Sequence, residues 1–461
     1  MSLLGAKLAA ARAAGAVSRR SGRGGTSLPG KLLLALEPGA VGELAGRLPN
    51  GSAVISATNG KTTTAAMVAS ILERGGHQLV HNRAGANMAG GIAGTLLEAA
   101  RPGGSIAGDT GLFEIDEFWL DRLVPQIRPR ALLLANLFRD QLDRYGELDA
   151  IADRWAGVVA AVKDTTLVLN ADDPLVADLG RDREGTIFFG VEDPAMALAG
   201  MQHAADSKHC RRCGAPYVYD HVFLGHLGHY HCDACGATRP APSVAAQQVV
   251  LDGLKGALVT LRLPTATVEV RLPLPGLYNV YNALAAAALT TVLGAPPADV
   301  VAGLEAVSAA FGRAETVRIG GHDLLLLLVK NPAGANEVLR TLALEDGEHD
   351  LLAVLNDHTA DGRDVSWVWD ADFELLAGRL RRVTCSGTRA AELALRLKYA
   401  GVPEERLVVE PSLSAGLDGA VAAVPQDGPG RGRLVAIPTY TAMLELRREL
   451  VARGVAKDSF G

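Results

Sequence analysis

Residues 52–72 read SAVISATNGKTTTAAMVASIL, and the fold follows from how this stretch is parsed. A short apolar run, SAVIS, leads into a polar turn and then into an Ala/Val/Ile-rich segment of helical character. Polyphosphate binding requires a Gly-Lys-Thr triplet placed between a strand and a helix. Backbone N–H groups of the turn and helix N-terminus face the phosphates, Lys61 reaches the outer ones, and the Thr62 hydroxyl can ligate Mg²⁺. Thr58, Asn59, Gly60 and Thr63 complete the candidate nucleotide loop, with Asn59 and Gly60 suited to a backbone that bends inward. The general P-loop pattern asks for a glycine five residues before Gly60, where Ile55 stands. The strand and helix around the triplet therefore carry the reading.

Strand-like and helical stretches alternate on both sides of this loop. HQLVHN, GGIAGTLLEAA, LFEID and ALLLANLF follow it, then TTLVLNADDP and TIFFGV, which predicts a parallel, doubly wound α/β sheet. A Cys/His/Tyr-rich insert interrupts the pattern over residues 202–242. VVLDGLKGALVTLRLPTATVEVRLPL then alternates at period two, as hairpin strands do, and PGLYNVYNALAAAALTTVLG reads as an Ala-rich helix. A second α/β unit is expected from residue 318. Its strands are DLLLLLV, DLLAVLN, RRVTCSG, RLVVE and RLVAIPT, near-continuous apolar runs of the kind covered on both faces. The expected division is thus 1–317, carrying the insert, and 318–461.

With 461 residues and 48% hydrophobic side chains, the chain can bury the cores of two or three domains. A net charge of -6 gives no reason to expect a nucleic-acid or anionic-membrane surface. No apolar run approaches the roughly 18 residues of a membrane span. The N-terminal stretch, with Arg12, Arg19 and Arg20 among its alanines, reads as a surface helix rather than a signal peptide. A cytoplasmic protein is expected.

Four of the five cysteines form two pairs, Cys210-x2-Cys213 and Cys232-x2-Cys235, each followed by glycine. Two such knuckles bring four thiolates onto one ion; a set of this kind leaves no open position, so a bound zinc would be structural. In FEIDEFWL a strand ends in carboxylates. Glu114, Asp116 and Glu117 are candidates to hold Mg²⁺ beside the phosphate loop, or alternatively form a solvated acidic turn.

ATNGKTTT resembles the phosphate loop of the Mur ligase superfamily, which includes the folylpolyglutamate synthetases. FEIDEFWL resembles the strand that carries their magnesium glutamate, with Glu114 at the matching position, and LANLFRDQLDRYGE resembles their N-x-x-x-D-H-x-D motif. LNADDP, PGLYNVYNALAAA and AFGRAE match later blocks in the same order. GRGGTSLPGK, NRAGANMAGGI, the Cys₄ insert, VKNPAGANEVL, NDHTADGRDVSWVWDADFE and IPTYTAML are similar to the MurT branch, the ATP-dependent ligase subunits of lipid II isoglutaminyl synthases.

The resemblance implies a P-loop central domain with a zinc-ribbon insert and a Rossmann-like C-terminal domain. It implies ATP-dependent amidation of the D-glutamate α-carboxylate of the lipid II stem peptide through an acyl phosphate. Lys61 would be catalytic, Thr62 and Glu114 would hold Mg²⁺, Asn279 and Asn282 would face the adenine, and Arg313 would face the phosphates or ribose. Ammonia would come from a GatD-like glutamine amidotransferase subunit, because the lone Cys385 lies in an apolar strand end. An aspartate of the NDHTADGRD loop, Asp357 ahead of Asp361 and Asp364, would reach that partner to orient its catalytic histidine. The chain departs from the amino-acid-adding ligases at three places. Gln141 replaces their histidine, Tyr278-Asn279 replaces their His-Asn, and no lysine lies between Lys61 and Lys163 to be carbamylated near a second magnesium. Ala57 also replaces a loop glycine. The competing readings are an amino-acid-adding ligase, disfavoured by the zinc insert and IPTYTAML, and a zinc-ribbon ATPase that binds nucleic acid through residues such as Lys208, Arg211 and Tyr219, disfavoured by the acidic balance.

Overall fold

The computed structural model describes residues 3–20, 27–82, 86–102, 104–140, 148–203, 205–307, 313–425 and 433–456. Its larger sheet contains β1 (Ser52–Ser56), β2 (Leu79–His81), β3 (Thr110–Glu114), β4 (Ala131–Leu134), β5 (Thr166–Asn170), β6 (Ile187–Val191), β9 (Val244–Leu251), β10 (Ala257–Arg262) and β11 (Thr267–Leu272). The order across it is β11-β10-β9-β6-β5-β4-β1-β3-β2. Every pairing from β2 to β9 is parallel, and β9, β10 and β11 form an antiparallel meander at one edge. β7 (Val218–Leu224) and β8 (Leu227–His231) form a separate hairpin inside the cysteine-bearing insert.

Alternation along β1 explains why this strand is central. Ala53 and Ile55 join a core on one face with the helix Leu277–Leu293, while Val54 joins Leu132 and Leu134 in a core on the other. All five β1 residues are buried, as expected of a parallel strand covered twice. The N-terminal helix Leu3–Arg20 packs rather than floats. Leu4, Leu8 and Ala11, spaced at four and three residues, are buried in the second core. Next to it the helices Leu28–Leu36 and Ala89–Ala99 touch through glycine. A Cβ on Gly30 would stand 1.9 Å from the Gly90 carbonyl, so backbone meets backbone there.

The second sheet contains β12 (Arg313–Ile319), β13 (His322–Leu327), β14 (His349–Val354), β15 (Leu380–Ser386), β16 (Leu407–Val409) and β17 (Arg433–Pro438), in the order β12-β13-β17-β14-β15-β16. It is parallel except for β12, which pairs antiparallel with β13. The division expected at 317/318 falls inside β12. A two-residue turn explains why: Gly320 and Gly321 have φ of 57° and 86°, the positive pair that a tight hairpin requires, and they return β12 onto β13. Among the described residues, no helix is long and apolar enough to cross a membrane.

Candidate active site and metal centre

The turn between β1 and the helix Lys61–Arg74 lies at the C-terminal end of its strand, where open α/β sheets place their ligands. Gly60 has φ of 85°, and a Cβ there would lie 2.0 Å from Asn282 Oδ1, so both backbone and space exclude a side chain. Asn136, from ALLLANLF, holds the turn from outside. Its carbonyl accepts from Thr58 N (3.0 Å), its Oδ1 accepts from Asn59 N (2.9 Å), and its Nδ2 donates to Asn59 O (3.0 Å). The Thr58 hydroxyl accepts from Phe138 N at 3.1 Å. The first motif residue, Asn136, thereby serves the phosphate loop directly.

Lys61 is 8% exposed and donates to Glu117 Oε2 at 2.8 Å and to the Ala57 carbonyl. Burial pulls its pKa down, but the charges of Glu117, Asp116 and Glu114 outweigh burial and hold it above the ordinary value. For Glu117, burial raises the pKa while Lys61 and Lys330 bring it below the usual carboxylate value; burial and the neighbouring Glu117 raise that of Asp116. Of the three candidate acids, Glu114 is the one paired with Thr62, whose Oγ1 lies 3.1 Å from its Oε1. Asn82 fixes the backbone there, donating to Glu114 O at 2.8 Å and accepting from Glu114 N at 2.9 Å. A hydroxyl beside a buried carboxylate is a donor set that fits Mg²⁺, a hard cation that takes oxygen ligands.

The second unit completes the site with residues that sequence reasoning assigned no role. Lys330, three residues past the end of β13, donates to Thr58 O at 3.1 Å and pairs with Asp140. Asn331 exchanges amide hydrogen bonds with Asn59 at 3.0 and 3.2 Å. The available signal was polar KN directly after the apolar DLLLLLV, the place where a strand end meets a ligand cleft. A cleft lies between the units, bordered by Asn59, Gly60, Thr63, Asn282, Lys330 and Glu337. A second, more open cavity lies on the other side of the loop, along Thr62, Ser70, His81 and Glu114.

Asn282 borders the cleft and accepts from the Thr64 hydroxyl at 3.3 Å. Asn279 stands behind it. Its Nδ2 donates to the Pro275 carbonyl (2.7 Å) and its Oδ1 accepts from Asn282 Nδ2 (3.1 Å). Arg313 opens β12, and its side chain lies outside the described residues, as do Gln141 and the rest of 141–147.

The four cysteine Sγ atoms lie within 4.8 Å of one another. Each pair sits on the same turn: Gly214 N donates to Cys210 O (2.8 Å) and Gly236 N to Cys232 O (2.9 Å), with φ of 75° and 71° at the two glycines. None of the five cysteines is in a disulfide. Four converging thiols without a fifth donor fit a closed tetrahedral zinc site. His226, at the tip of the hairpin in the same insert, lies away from the cysteine cluster. It is fully buried 3.5 Å from Asp173, against the Phe138 ring.

On the second sheet, three aspartates of the loop after β14 have three different settings. Asp361 is buried and accepts from Thr441 N at 2.7 Å at the start of the helix Tyr440–Ala452. Asp364 accepts from Ser366 N in a local turn. Asp357 is held by the Thr388 hydroxyl and Arg389 Nε, each at 2.8 Å, with its side chain 25% exposed. The Thr388 hydrogen bond and then Arg389 hold its carboxyl below the usual range. Burial pushes the Cys385 thiol on β15 up to about 12, so it carries little thiolate near neutrality.

Residues 55–232 match the Mur ligase middle domain family, and residues 328–443 match the MurT ligase C-terminal family. The chain is 33% identical over 441 residues, 95% of its length and 96% of the relative's, to the lipid II isoglutaminyl synthase (glutamine-hydrolyzing) subunit MurT of Staphylococcus aureus strain N315. It is 34% identical to the protein of the same name from Streptococcus pneumoniae R6, over 98% and 97% of the two chains. Among solved structures it resembles a pseudomurein peptide ligase type C from Methanothermus fervidus, with a TM-score of 0.66 at 22% identity, covering 87% of this chain and 78% of that one. It also resembles MurF from Acinetobacter baumannii, with a TM-score of 0.65 at 18% identity over 91% and 80%. These structural likenesses establish a shared fold.

Proposed function

Because the chain belongs to the MurT family of the Mur ligases, we propose that it is the ATP-dependent ligase subunit that amidates the D-glutamate α-carboxylate of the lipid II stem peptide, in peptidoglycan synthesis. The observation that carries this reading is the loop at Lys61: a buried ammonium among three carboxylates, at the end of a strand and beside the cleft between the units. ATP would lie with its phosphates over Gly60, Lys61, Thr62 and Thr63 and its base in the cleft near Asn282, with Arg313 at the start of β12 serving the phosphates or ribose. The nucleotide-holding part is then residues 1–317 closed by the unit from 318 onward, joined through β12.

A carboxylate does not react usefully with ammonia, because its oxygen is a poor leaving group. Attack of the carboxylate oxygen on the γ-phosphorus breaks the bond to the ADP oxygen and forms an acyl phosphate. Ammonia then adds to the acyl carbon, inorganic phosphate departs, and the proton lost from nitrogen leaves with it. Lys61 and Lys330 would follow the charge of the transferring group from opposite sides. Thr62 and Glu114 would hold Mg²⁺, which neutralises phosphate charge when bound, and the four cysteines would hold a structural zinc. Ammonia would come from a GatD-like glutaminase partner; the raised, buried Cys385 supports a source outside this chain. Asp357, presented at the surface by Thr388 and Arg389, is the proposed contribution to that partner's histidine. The exposed pair Trp369 and Tyr399, whose rings stand 5.8 Å apart on the same unit, supports a docking face there. The lipid substrate would be met at the cytoplasmic membrane surface.

The test uses lipid II carrying heavy oxygen in the D-glutamate α-carboxylate, with ATP and ammonium chloride. An acyl phosphate delivers one heavy oxygen to the released phosphate. Amide product with unlabelled phosphate would contradict the mechanism.

A further inference from the structure

The hairpin β7–β8 has one end at the cysteine cluster and the other in the cleft between the two units. Val218 pairs with His231 at its open end, and the two cysteine knuckles lie just outside that pair. At its closed end Leu224 pairs with Leu227 around Gly225 and His226. Both leucines are nearly fully buried and border the cleft together with Phe138, Tyr281 and Val338. Seven residues of β7 at about 3.3 Å each place metal site and cleft roughly 20 Å apart.

The turn is seated on the core by Gly225 N donating to Gln202 Oε1 (2.6 Å) and Gly228 N donating to Asp172 O (2.9 Å). From the opposite side, Arg340 donates to Phe223 O at 2.7 Å and to Glu337 Oε1 at 2.8 Å, and Glu337 is a buried carboxylate on the wall of the same cleft. A lone two-stranded hairpin is marginal in water. Closing its open end with a metal therefore acts on the strands that carry Leu224 and Leu227.

We infer that the tip of the ribbon is a wall of the nucleoside site, with Leu224 and Leu227 against the face of the base, and that zinc and nucleotide affinities are coupled through the hairpin. This rests on the assignment of the cleft to ATP made above. Coupling between two binding sites is reciprocal: if zinc tightens the nucleotide, the nucleotide tightens zinc by the same factor. Inorganic tripolyphosphate, which fills the Lys61 loop but carries no base to meet Leu224 and Leu227, is outside this coupling.

The experiment measures zinc affinity of the full chain by equilibrium competition with a chelator, without nucleotide, with saturating ADP, and with tripolyphosphate. ADP is expected to raise zinc affinity about tenfold and tripolyphosphate to leave it unchanged. The double substitution Leu224→Ala with Leu227→Ala should weaken ADP about tenfold, spare tripolyphosphate, and remove the effect of ADP on zinc. Equal zinc affinity with and without ADP, in a chain that binds ADP by direct titration, overturns the inference alone. The same holds if ADP still raises zinc affinity in the leucine variant. A chain that binds no ADP overturns the nucleotide reading on which the inference stands.

Discussion

The loops after β1 and β14 occupy equivalent places, each at the C-terminal end of a strand in the middle of a parallel sheet, yet they face opposite ways. Both are locked by asparagine. Asn136 clamps the first from outside, while buried Asn356 accepts from Thr388 N (3.1 Å) and donates to the Thr441 hydroxyl (3.1 Å) in the second. The β1 loop turns its charge inward, so that Lys61 is buried among acids. The β14 loop turns two carboxylates outward, exposed Asp364 and half-buried Asp357, the latter pinned by Thr388 and Arg389, while spending Asp361 on its own fold. One topology thus yields a loop whose charge is buried and a loop that presents charge at the surface. Rigidity is common to both loops, and direction separates them.

Lys61→Ala should separate them most sharply. It removes the cation proposed to meet the transferring phosphoryl group, so amidation from either nitrogen source should fall by about 10² to 10³, as for loss of one transition-state donor. Circular dichroism checks that the variant folds. Asp357→Asn should lower glutamine-dependent amidation, assayed with the partner, by at least about 10² while leaving ammonium-dependent amidation unchanged. A fall in both would place Asp357 in the inward site and break the comparison. Gly60→Ala meets Asn282 Oδ1 and a left-handed backbone; the backbone alone costs about 1–2 kcal/mol, so ADP affinity should drop by tenfold or more in a calorimetric titration.

The smallest effect is electrostatic. Asp357 has a depressed pKa, so its contribution to stability is present above the ordinary carboxylate pKa and is lost as pH falls through the depressed value. Arg389→Ala should move the Asp357 titration, followed by NMR, back toward the ordinary value; the Thr388 hydrogen bond, the larger cause, keeps part of the shift. No movement would mean that Arg389 does not hold the carboxylate in solution.

Much of this was legible in the sequence because it is local. Apolar runs mark the strands of both sheets, the cysteine spacing marks the cluster of four thiols, and Gly-Lys-Thr after SAVIS marks the strand–turn–helix at Lys61. What escaped depends on contacts between distant segments. Lys330 reaches Thr58 across 272 residues, and Arg340 reaches Phe223 across 117. No spacing rule shows that a zinc ribbon would put its tip into a cleft of the ATP-binding unit. The expected boundary at 317/318 falls inside β12, because GG between TVRI and HDLLLL is a hairpin turn that ties the end of one motif block to the strand of the next. The bond between Asn279 and Asn282, three residues apart on one helix, and the approach of Asn282 to Gly60 likewise need the folded chain to be seen.

The most direct test of the central claim is mass spectrometry of lipid II incubated with this chain, ATP and ammonium chloride, and in parallel with Lys61→Ala. The account predicts an ATP-dependent mass decrease equal to exchange of one hydroxyl for an amine, located by fragmentation at the D-glutamate α-carboxylate and absent in the variant. An unchanged stem peptide, or a mass increase equal to an added amino acid, would contradict it.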